Sequence, residues 1–94
     1  MSQISLPSIE ERTEKEYESI YLHSVILFND SINEFSHVES CLMKICFKTK
    51  KEAKRIAIEA HTNGKAVCFV GSPEECETIS EKLTKERLTV SISS

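Results

Sequence analysis

Three short hydrophobic runs after residue 23 predict the strands of a sheet. Residues 24–28 (Ser-Val-Ile-Leu-Phe) and 65–70 (Lys-Ala-Val-Cys-Phe-Val) are nearly continuous apolar runs, which is typical of buried strands. Residues 88–92 (Leu-Thr-Val-Ser-Ile) alternate strictly between apolar and polar side chains, which is typical of a strand with one face in solvent. Turn-forming residues follow the first run and a glycine follows the second, so each strand has a defined end.

Three segments between these runs have the pattern of amphipathic helices. The first two begin with capping-box sequences, Ser36–Glu39 and Thr49–Glu52, and the third begins at residues 72–75 with an N-cap serine, a proline and two glutamates. Asn63-Gly64 ends the second helix with residues that tolerate positive φ. Apolar residues recur along one face of each segment: Val38, Cys41, Leu42 and Ile45, then Ala53, Ile56, Ala57 and Ala60, and finally Cys76, Ile79 and Leu83.

The order of these elements, β-α-α-β-α-β, predicts an α+β two-layer sandwich. Three helices would pack on one face of a three-stranded antiparallel sheet. The 94 residues have room for one domain, which we place at residues 23–94. Residues 1–22 carry five glutamates and no sustained apolar face, so we interpret them as a flexible acidic N-terminal extension.

Charge and hydropathy exclude several classes of protein. The net charge of −3 is opposite to that of a strongly basic nucleic-acid-binding domain, and no run of ~20 apolar residues could span a membrane. The first 21 residues lack the apolar core of a secretory signal. We therefore expect a cytoplasmic or organelle-stromal protein, and a monomer, without nucleic-acid or membrane partners.

The cysteines do not have the spacing of a metal site. They are Cys41, Cys46, Cys68 and Cys76. A zinc site could be drawn from Cys41 and Cys46 with His37 and His61, but the sequence lacks the paired short spacings of structural zinc sites. We expect reduced cysteines that act as small buried hydrophobic residues, and neither a metal nor a cofactor.

No motif in the sequence predicts catalysis. The serines lack a Gly-x-Ser-x-Gly setting, and no glycine-rich loop is present to bind phosphate. Cys68 could be paired with His61 as a nucleophile, but it lies within an apolar strand, where a thiol is inert. We therefore expect a protein that is not an enzyme.

Half of the twelve basic residues lie between positions 44 and 55. They are Lys44, Lys48, Lys50, Lys51, Lys54 and Arg55. This cluster could be a solvated helix surface, a contact for an acidic protein, or a nucleic-acid-binding patch. Phe47 is the only aromatic residue in this segment, which argues against a base-stacking surface. A solvated helix surface is the favoured interpretation.

Polar side chains lie at the ends of two predicted elements. Asn29, Asp30 and Ser31 directly follow the first strand, and His61 lies in the last turn of the second helix. If that helix packs beside the end of the strand, these side chains converge above small apolar residues. An amide oxygen, a carboxylate and a neutral imidazole all accept hydrogen bonds, so together they would suit a cationic donor such as an ammonium group. Each residue also has a purely local role, in a turn or at a helix end, and that alternative stays open.

The same residues carry a resemblance to a known family. Residues 25–30 (Val-Ile-Leu-Phe-Asn-Asp), His61 and residues 64–68 (Gly-Lys-Ala-Val-Cys) resemble ClpS, the adaptor that presents N-degron substrates to the Clp AAA+ unfoldase. The match needs no gap from Val25 to about Leu83. The resemblance implies the β-α-α-β-α-β core read above, preceded by a mobile extension.

The resemblance implies a pocket for the first residue of a substrate protein. In the family, an Asn, an Asp two residues later and a His hold the substrate α-ammonium group, and these correspond to Asn29, Ser31 and His61. Serine in place of the carboxylate should weaken binding by about 10- to 100-fold unless Asp30 turns inward. By the same correspondence, the side-chain pocket would be formed by Asn33, Phe35, Val38, Ala57 and Ala60. The family's late pocket leucine has no gap-free match, because the connection after the third helix is shorter here, and Leu88 is the candidate for it.

The partners implied by the resemblance are N-degron substrates and the N-domain of a Clp AAA+ unfoldase. Residues Glu74, Ile32 and Ile79 correspond to the docking surface for the unfoldase. Two alternatives remain. One is a ClpS-like regulator that docks on the unfoldase without recognising N-degrons. The other is a ribosome-associated binding module, because the C-terminal domain of the ribosomal stalk protein shares this fold.

Overall fold

The sheet is built around its first strand. In a computed structural model, which describes residues 22–94, β1 (His23–Phe28) lies between β2 (Lys65–Gly71) and β3 (Val90–Ser93) in the order β2-β1-β3. Both pairings are antiparallel. β1 has a neighbour on each side, so the strand that ends at the predicted site is also the most constrained strand of the sheet.

Three helices complete the domain: α1 (Phe35–Ile45), α2 (Lys50–Asn63) and α3 (Pro73–Lys85). They cover the face of the sheet that carries Val25 and Leu27, both of which are buried. The opposite face leaves Val67 and Val70 about half exposed. The predicted α+β sandwich and its element order are confirmed. Within the described part of the chain, no helix has the length and hydrophobicity needed to cross a bilayer.

The core contains the apolar stripes that the sequence predicted. All four cysteines are buried and unpaired within it, as expected for small hydrophobic side chains. The register of β1 and β2 shifts between Val25 and Ile26, which face Phe69 and Val67 and leave Cys68 as the extra residue of a bulge. The bulge allows the consecutive residues Cys68 and Phe69 both to pack against the core.

Two of the three helices begin with a capping box, at the predicted N-cap residues Thr49 and Ser72. The side chain of Thr49 accepts a hydrogen bond from the Glu52 amide (3.2 Å), and the Glu52 carboxylate accepts one from the Thr49 amide (3.1 Å). Ser72 and Glu75 form the same pair of bonds at the start of α3. At the other end of α2, Gly64 adopts a φ of 91° and its amide bonds to the Ala60 carbonyl, as predicted for a glycine C-cap.

The predicted capping box at Ser36 is wrong. α1 begins two residues earlier than that box predicts, at Phe35 with Glu34 as N-cap, and no side chain caps it. The Glu34 carbonyl oxygen accepts hydrogen bonds from the amides of His37 and Val38, both 3.1 Å long. Side-chain contacts of the preceding loop, described below, set the position where the helix starts, so the local Ser-x-x-Glu pattern does not decide it.

β3 begins two residues later than predicted because α3 ends in a Schellman motif. The amide of Leu88 bonds to the Leu83 carbonyl (3.1 Å), and the amide of Arg87 bonds to the Thr84 carbonyl (2.9 Å). Arg87 adopts a φ of 68°, the left-handed conformation that this motif requires. β1 and β2 are each one residue longer than predicted. The predicted extension lies outside the described residues, except for Leu22.

The two serines provide a test of the capping assignment. We expect Ser72→Ala to lower the free energy of unfolding by about 1 kcal/mol, because it removes an N-cap and its capping box. Ser36→Ala should change stability by less than about 0.5 kcal/mol, because Ser36 is an exposed residue inside the first turn of α1. Urea denaturation of the two variants and the unmodified chain measures both values. A loss of equal size in both variants would contradict the structure.

Candidate functional site

A cavity of about 300 Å³ opens where the end of β1 meets α1 and α2. This volume is at the lower end of the range for sites that bind small ligands. Its lining comes from the end of β1, the loop that follows, the start of α1 and the last turns of α2. The lining residues are Leu27, Phe28, Asn29, Asp30, Asn33, Phe35, Val38, Ala57, Ala60 and His61.

One backbone hydrogen bond holds the two sides of the cavity together. The amide of Asn29 donates to the carbonyl oxygen of Gly64 over 2.9 Å, and the Gly64 amide donates to the Ala60 carbonyl over the same distance. The first residue after β1 is thus connected to the C-terminal turn of α2. This connection brings Asn29 and His61 to the same cavity, as the sequence analysis predicted from their positions at element ends.

Asp30 organises the loop on one side of the cavity. Its Oδ1 accepts hydrogen bonds from the amides of Ile32 (3.0 Å) and Asn33 (2.9 Å), and its Oδ2 accepts one from Asn33 Nδ2 (2.9 Å). Burial by itself raises the pKa of this carboxyl, but the hydrogen bonds from Asn33 and Ile32 outweigh that effect and hold the pKa below its ordinary value. Asp30 therefore remains ionised at neutral pH.

Asn33 connects this loop to the distant end of α3. Its Nδ2 also donates to the carbonyl oxygen of Arg87, 54 positions along the chain, over 2.8 Å. The imidazole of His37 donates from Nε2 to the neighbouring carbonyl of Glu86 (2.9 Å). Two hydrogen bonds from the loop and the first turn of α1 thus fasten these segments to the turn after α3, which fixes where α1 begins.

Two polar side chains at the cavity remain available to a ligand. Within residues 22–94, neither the Asn29 amide group nor the His61 imidazole makes a side-chain hydrogen bond, although both line the cavity. Asp30 has one unused acceptor position on Oδ2, since a carboxylate can accept about four hydrogen bonds and three are made within the loop. A negative charge and several acceptors therefore surround the polar side of the cavity.

The rest of the lining is apolar. Ala57 and Ala60 form a shallow, buried surface on α2, and Val38 and Phe35 contribute from α1. Leu27 and Phe28 also line the cavity, although the sequence analysis did not include them. Their position directly before Asn29, at the end of a buried strand, is the signal that could have identified them.

Two residues of the predicted site lie elsewhere. Ser31 is exposed and is not part of the cavity lining. Leu88 is only 4 % exposed and belongs to the core, because the Schellman motif at the end of α3 directs this residue inward. The prediction that Leu88 is a pocket residue is therefore wrong. Because Ser31 does not line the cavity, Asp30 is the residue of this loop whose carboxylate does.

The predicted docking residues do not share one environment. Ile32 is 79 % exposed and Glu74 is also exposed, so both are accessible to a partner. Ile79 is 4 % exposed and packs in the core as part of the inner stripe of α3. The prediction that Ile79 is a docking residue is therefore wrong. Most of the basic cluster is exposed, and Arg55 forms an ion pair with Glu59 (3.2 Å) on the surface of α2.

The zinc ligands considered in the sequence do not all converge. His61 lies at the cavity, and a hydrogen bond with Cys68 lowers the pKa of Cys46, whose thiol is thus engaged within the core. The same bond and burial raise the pKa of Cys68 far above its ordinary value, so this thiol is inert. His37 and Cys41, however, lie one helical turn apart with 3.7 Å between Nε2 and Sγ, and Glu86 joins them.

Asp30 should make the stability of the domain dependent on acid pH. At pH 7 we expect Asp30→Asn to lower the free energy of unfolding by about 1–2 kcal/mol, because two NH₂ groups would then face each other at Asn33. Because the pKa of Asp30 is lower in the folded state than in the unfolded state, the ionised carboxylate stabilises the folded state at pH values above the unfolded-state pKa. This contribution to the free energy of unfolding is lost as the pH falls through the folded-state pKa. The difference in free energy of unfolding between the unmodified chain and Asp30→Asn should therefore become smaller below about pH 4.

Urea denaturation at pH 7 and pH 3 measures this change. Glu34→Gln is the matched control, because Glu34 is an exposed carboxylate in the same loop whose side chain does not cap α1. We expect the control to follow the unmodified chain at both pH values. If Asp30→Asn lowered the free energy of unfolding by the same amount at both pH values, the stabilising role assigned to the Asp30 charge would be excluded.

Comparison with known proteins places these features in one family. Residues 18–91 match the family model described as ATP-dependent Clp protease adaptor protein ClpS. The ClpS adapter of Thermosynechococcus vestitus is 38 % identical over 69 residues, which cover 72 % of this chain and 73 % of that protein. The ClpS adapter of Synechocystis is 37 % identical over 67 residues, covering 70 % and 68 %.

A solved structure agrees with these sequence matches. The structure of Agrobacterium tumefaciens ClpS2 bound to L-phenylalaninamide has a TM-score of 0.71 and 25 % identity, covering 78 % of this chain and 95 % of that chain. Since the family model spans residues 18–91 and these relatives are 37–38 % identical over at least 70 % of the chain, the chain belongs to the ClpS family of ATP-dependent Clp protease adaptors.

Proposed function

We propose that this protein is a non-enzymatic adaptor that binds the hydrophobic first residue of substrate proteins and delivers these substrates to a Clp AAA+ unfoldase. The observation that carries the proposal is the cavity itself. It combines unpartnered hydrogen-bond acceptors and a carboxylate with an apolar lining of small residues. The first residue of a protein chain has this same combination, because it bears both an α-ammonium group and a side chain.

The polar side of the cavity suits an ammonium group. An ammonium group donates three hydrogen bonds. Asn29 Oδ1, a ring nitrogen of His61 and the unused position on Asp30 Oδ2 supply three acceptors around the cavity. The negative charge of Asp30 adds attraction, and the lowered pKa of this carboxyl keeps the charge in place. Asp30 thereby supplies the carboxylate for the α-ammonium group, which other members of the family carry at the position of Ser31.

The apolar side suits a bulky side chain. Burying a large apolar side chain contributes about 1.5–3 kcal/mol, and hydrogen bonds to a charged group contribute about 1.5–3 kcal/mol each before the cost of association. We expect micromolar affinity, which corresponds to a binding free energy of about −8 kcal/mol. The ligand of ClpS2, L-phenylalaninamide, has a free amino group and a phenyl side chain, which is the chemistry proposed for the ligand here.

Delivery requires contacts outside the cavity. Glu74 and Ile32 are exposed and are the proposed contacts with the N-domain of the unfoldase. The N-terminal extension, residues 1–22, is proposed to act in delivery and not in degron binding. The adaptor is proposed to act as a monomer in the cytoplasm or an organelle stroma, with the unfoldase supplying the ATP-driven step.

Fluorescence anisotropy with labelled peptides that differ only in the first residue tests the proposal. We expect micromolar or tighter binding when that residue is bulky and hydrophobic, and no binding of the same peptide after N-acetylation. His61→Ala should weaken binding by about 10- to 100-fold, because it removes one acceptor for a charged donor. Thr62→Ala is the matched control on the same turn, since the Thr62 hydroxyl bonds only to its own helix.

Acetylation of the peptide supplies a second readout, because it removes the charge and two of the three hydrogen-bond donors of the α-ammonium group. Equal affinity for free and acetylated peptides would refute degron binding and favour the regulator that only docks on the unfoldase.

The two alanines of α2 should set the size of the accepted side chain. Ala57→Met fills space at the cavity, so we expect it to weaken binding of a peptide beginning with Trp by about tenfold or more. A peptide beginning with Leu should lose much less affinity. Ile58→Met is the matched control, because Ile58 lies on the exposed side of the same turn. An equal loss for both peptides would contradict the assignment of Ala57 to the side-chain pocket.

A further inference from the structure

Three potential metal ligands meet at a place distinct from the degron cavity. His37 and Cys41 lie one turn apart on α1, and Glu86 lies in the turn after α3. One ligand atom from each residue lies within 4.8 Å of the other two. None of the three residues lines the cavity described above. The sequence has no His or Cys before position 23, so residues 1–21 supply neither ligand type.

The distances are close to those of a tetrahedral site. Cys41 Sγ is 3.7 Å from His37 Nε2, and Nε2 is 4.0 Å from Glu86 Oε1. Around a tetrahedral zinc ion, with bonds of about 2.0–2.3 Å, neighbouring ligand atoms are about 3.4–3.6 Å apart. The two helical ligands already share one face because they are spaced i, i+4. The half-exposed Glu86 side chain can rotate to close the remaining gap.

The cluster is open to solvent on one side. Water can reach the site from the side of His37 and Glu86, whose side chains are 39 % and 50 % exposed.

We propose that His37, Cys41 and Glu86 form a binding site for a zinc ion, with water as the fourth ligand. A thiolate, an imidazole and a carboxylate form a ligand set that zinc accepts, and three protein ligands leave one position open. Binding releases the thiol proton to solvent. It also moves the imidazole proton to Nδ1, because Nε2 now donates that proton to the Glu86 carbonyl oxygen. No electron transfer takes place.

The ion would fasten α1 to the turn that follows α3. That turn already receives a hydrogen bond from His37 at Glu86 and one from Asn33 at Arg87. A metal ion bound through Nε2 would replace the His37 hydrogen bond with a stronger connection between the same two segments, and the Asn33 hydrogen bond would remain. The site is therefore expected to be structural.

Titration of the reduced full-length protein with Co²⁺ tests the site, since this ion replaces zinc and reports its ligands by absorption. We expect one equivalent to produce the intense visible bands of a tetrahedral ion together with a thiolate-to-cobalt charge-transfer band, and Zn²⁺ to remove both. Cys41→Ser should abolish the charge-transfer band. His37→Gln and Glu86→Gln should weaken Co²⁺ binding by about tenfold or more.

Matched variants outside the cluster separate a specific site from general effects. Cys76→Ser, His23→Gln and Glu81→Gln should each bind Co²⁺ like the unmodified chain. Zinc at ~100 times its Kd should raise the Tm of the unmodified chain by about 5 °C or more, and should not raise that of His37→Gln, whose half-exposed site tolerates the change. Unchanged bands in Cys41→Ser or His37→Gln, or the absence of a charge-transfer band, would overturn the proposal.

Discussion

The hydrogen bond from the Asn29 amide to the Gly64 carbonyl oxygen is the contact on which the candidate site depends. It joins the end of the central strand to the end of α2, which are 35 positions apart in the chain. The carbonyl is presented correctly because Gly64 adopts a left-handed conformation that ends the helix and turns the chain into β2. A side chain at this position would have to adopt the same unfavourable backbone angle. The glycine therefore acts on the site without contacting a ligand.

The polar groups near the cavity divide into those that build it and those that face a ligand. Asp30 and Asn33 satisfy each other and the backbone of their loop, and Asn33 also reaches Arg87. Asn29 and His61 line the cavity without side-chain hydrogen bonds inside the described part of the chain. Both side chains are exposed, so an incoming ligand can reach them. Asp30 and Asn33 thus hold the loop in place, and Asn29 and His61 are the polar groups that the proposed function assigns to the ligand.

The elements governed by local chemistry could be predicted from the sequence. Thr49 and Ser72 start their helices where the capping pattern indicated, and Gly64 ends α2, because each effect acts within three or four residues. The convergence of Asn29 and His61 also followed from their positions at element ends. The errors arose where distant contacts decide the outcome. Ser36 does not cap α1, since the preceding loop is fastened to a turn 54 positions away.

The same distinction explains the remaining differences. Whether Leu88 faces the cavity or the core depends on how α3 ends, and no glycine marks that end because Arg87 takes the left-handed position. The involvement of Glu86 with His37 and Cys41 depends on how that turn packs against α1, which no spacing in the sequence reveals. The resemblance assigns roles position by position, so it assigned Ile79 to the docking surface. The apolar stripe of α3 already placed Ile79 on the buried side of that helix.

The four buried thiols have a practical consequence. They lie at separate points of the core: Cys41 within α1, Cys46 at its end, Cys68 in β2 and Cys76 in α3. A thiol reagent can reach each of them only when the surrounding structure opens. The rates of alkylation, assigned residue by residue with mass spectrometry, would therefore rank the opening free energies of the two layers. The protein carries its own set of reporters for local unfolding, and no label needs to be engineered into it.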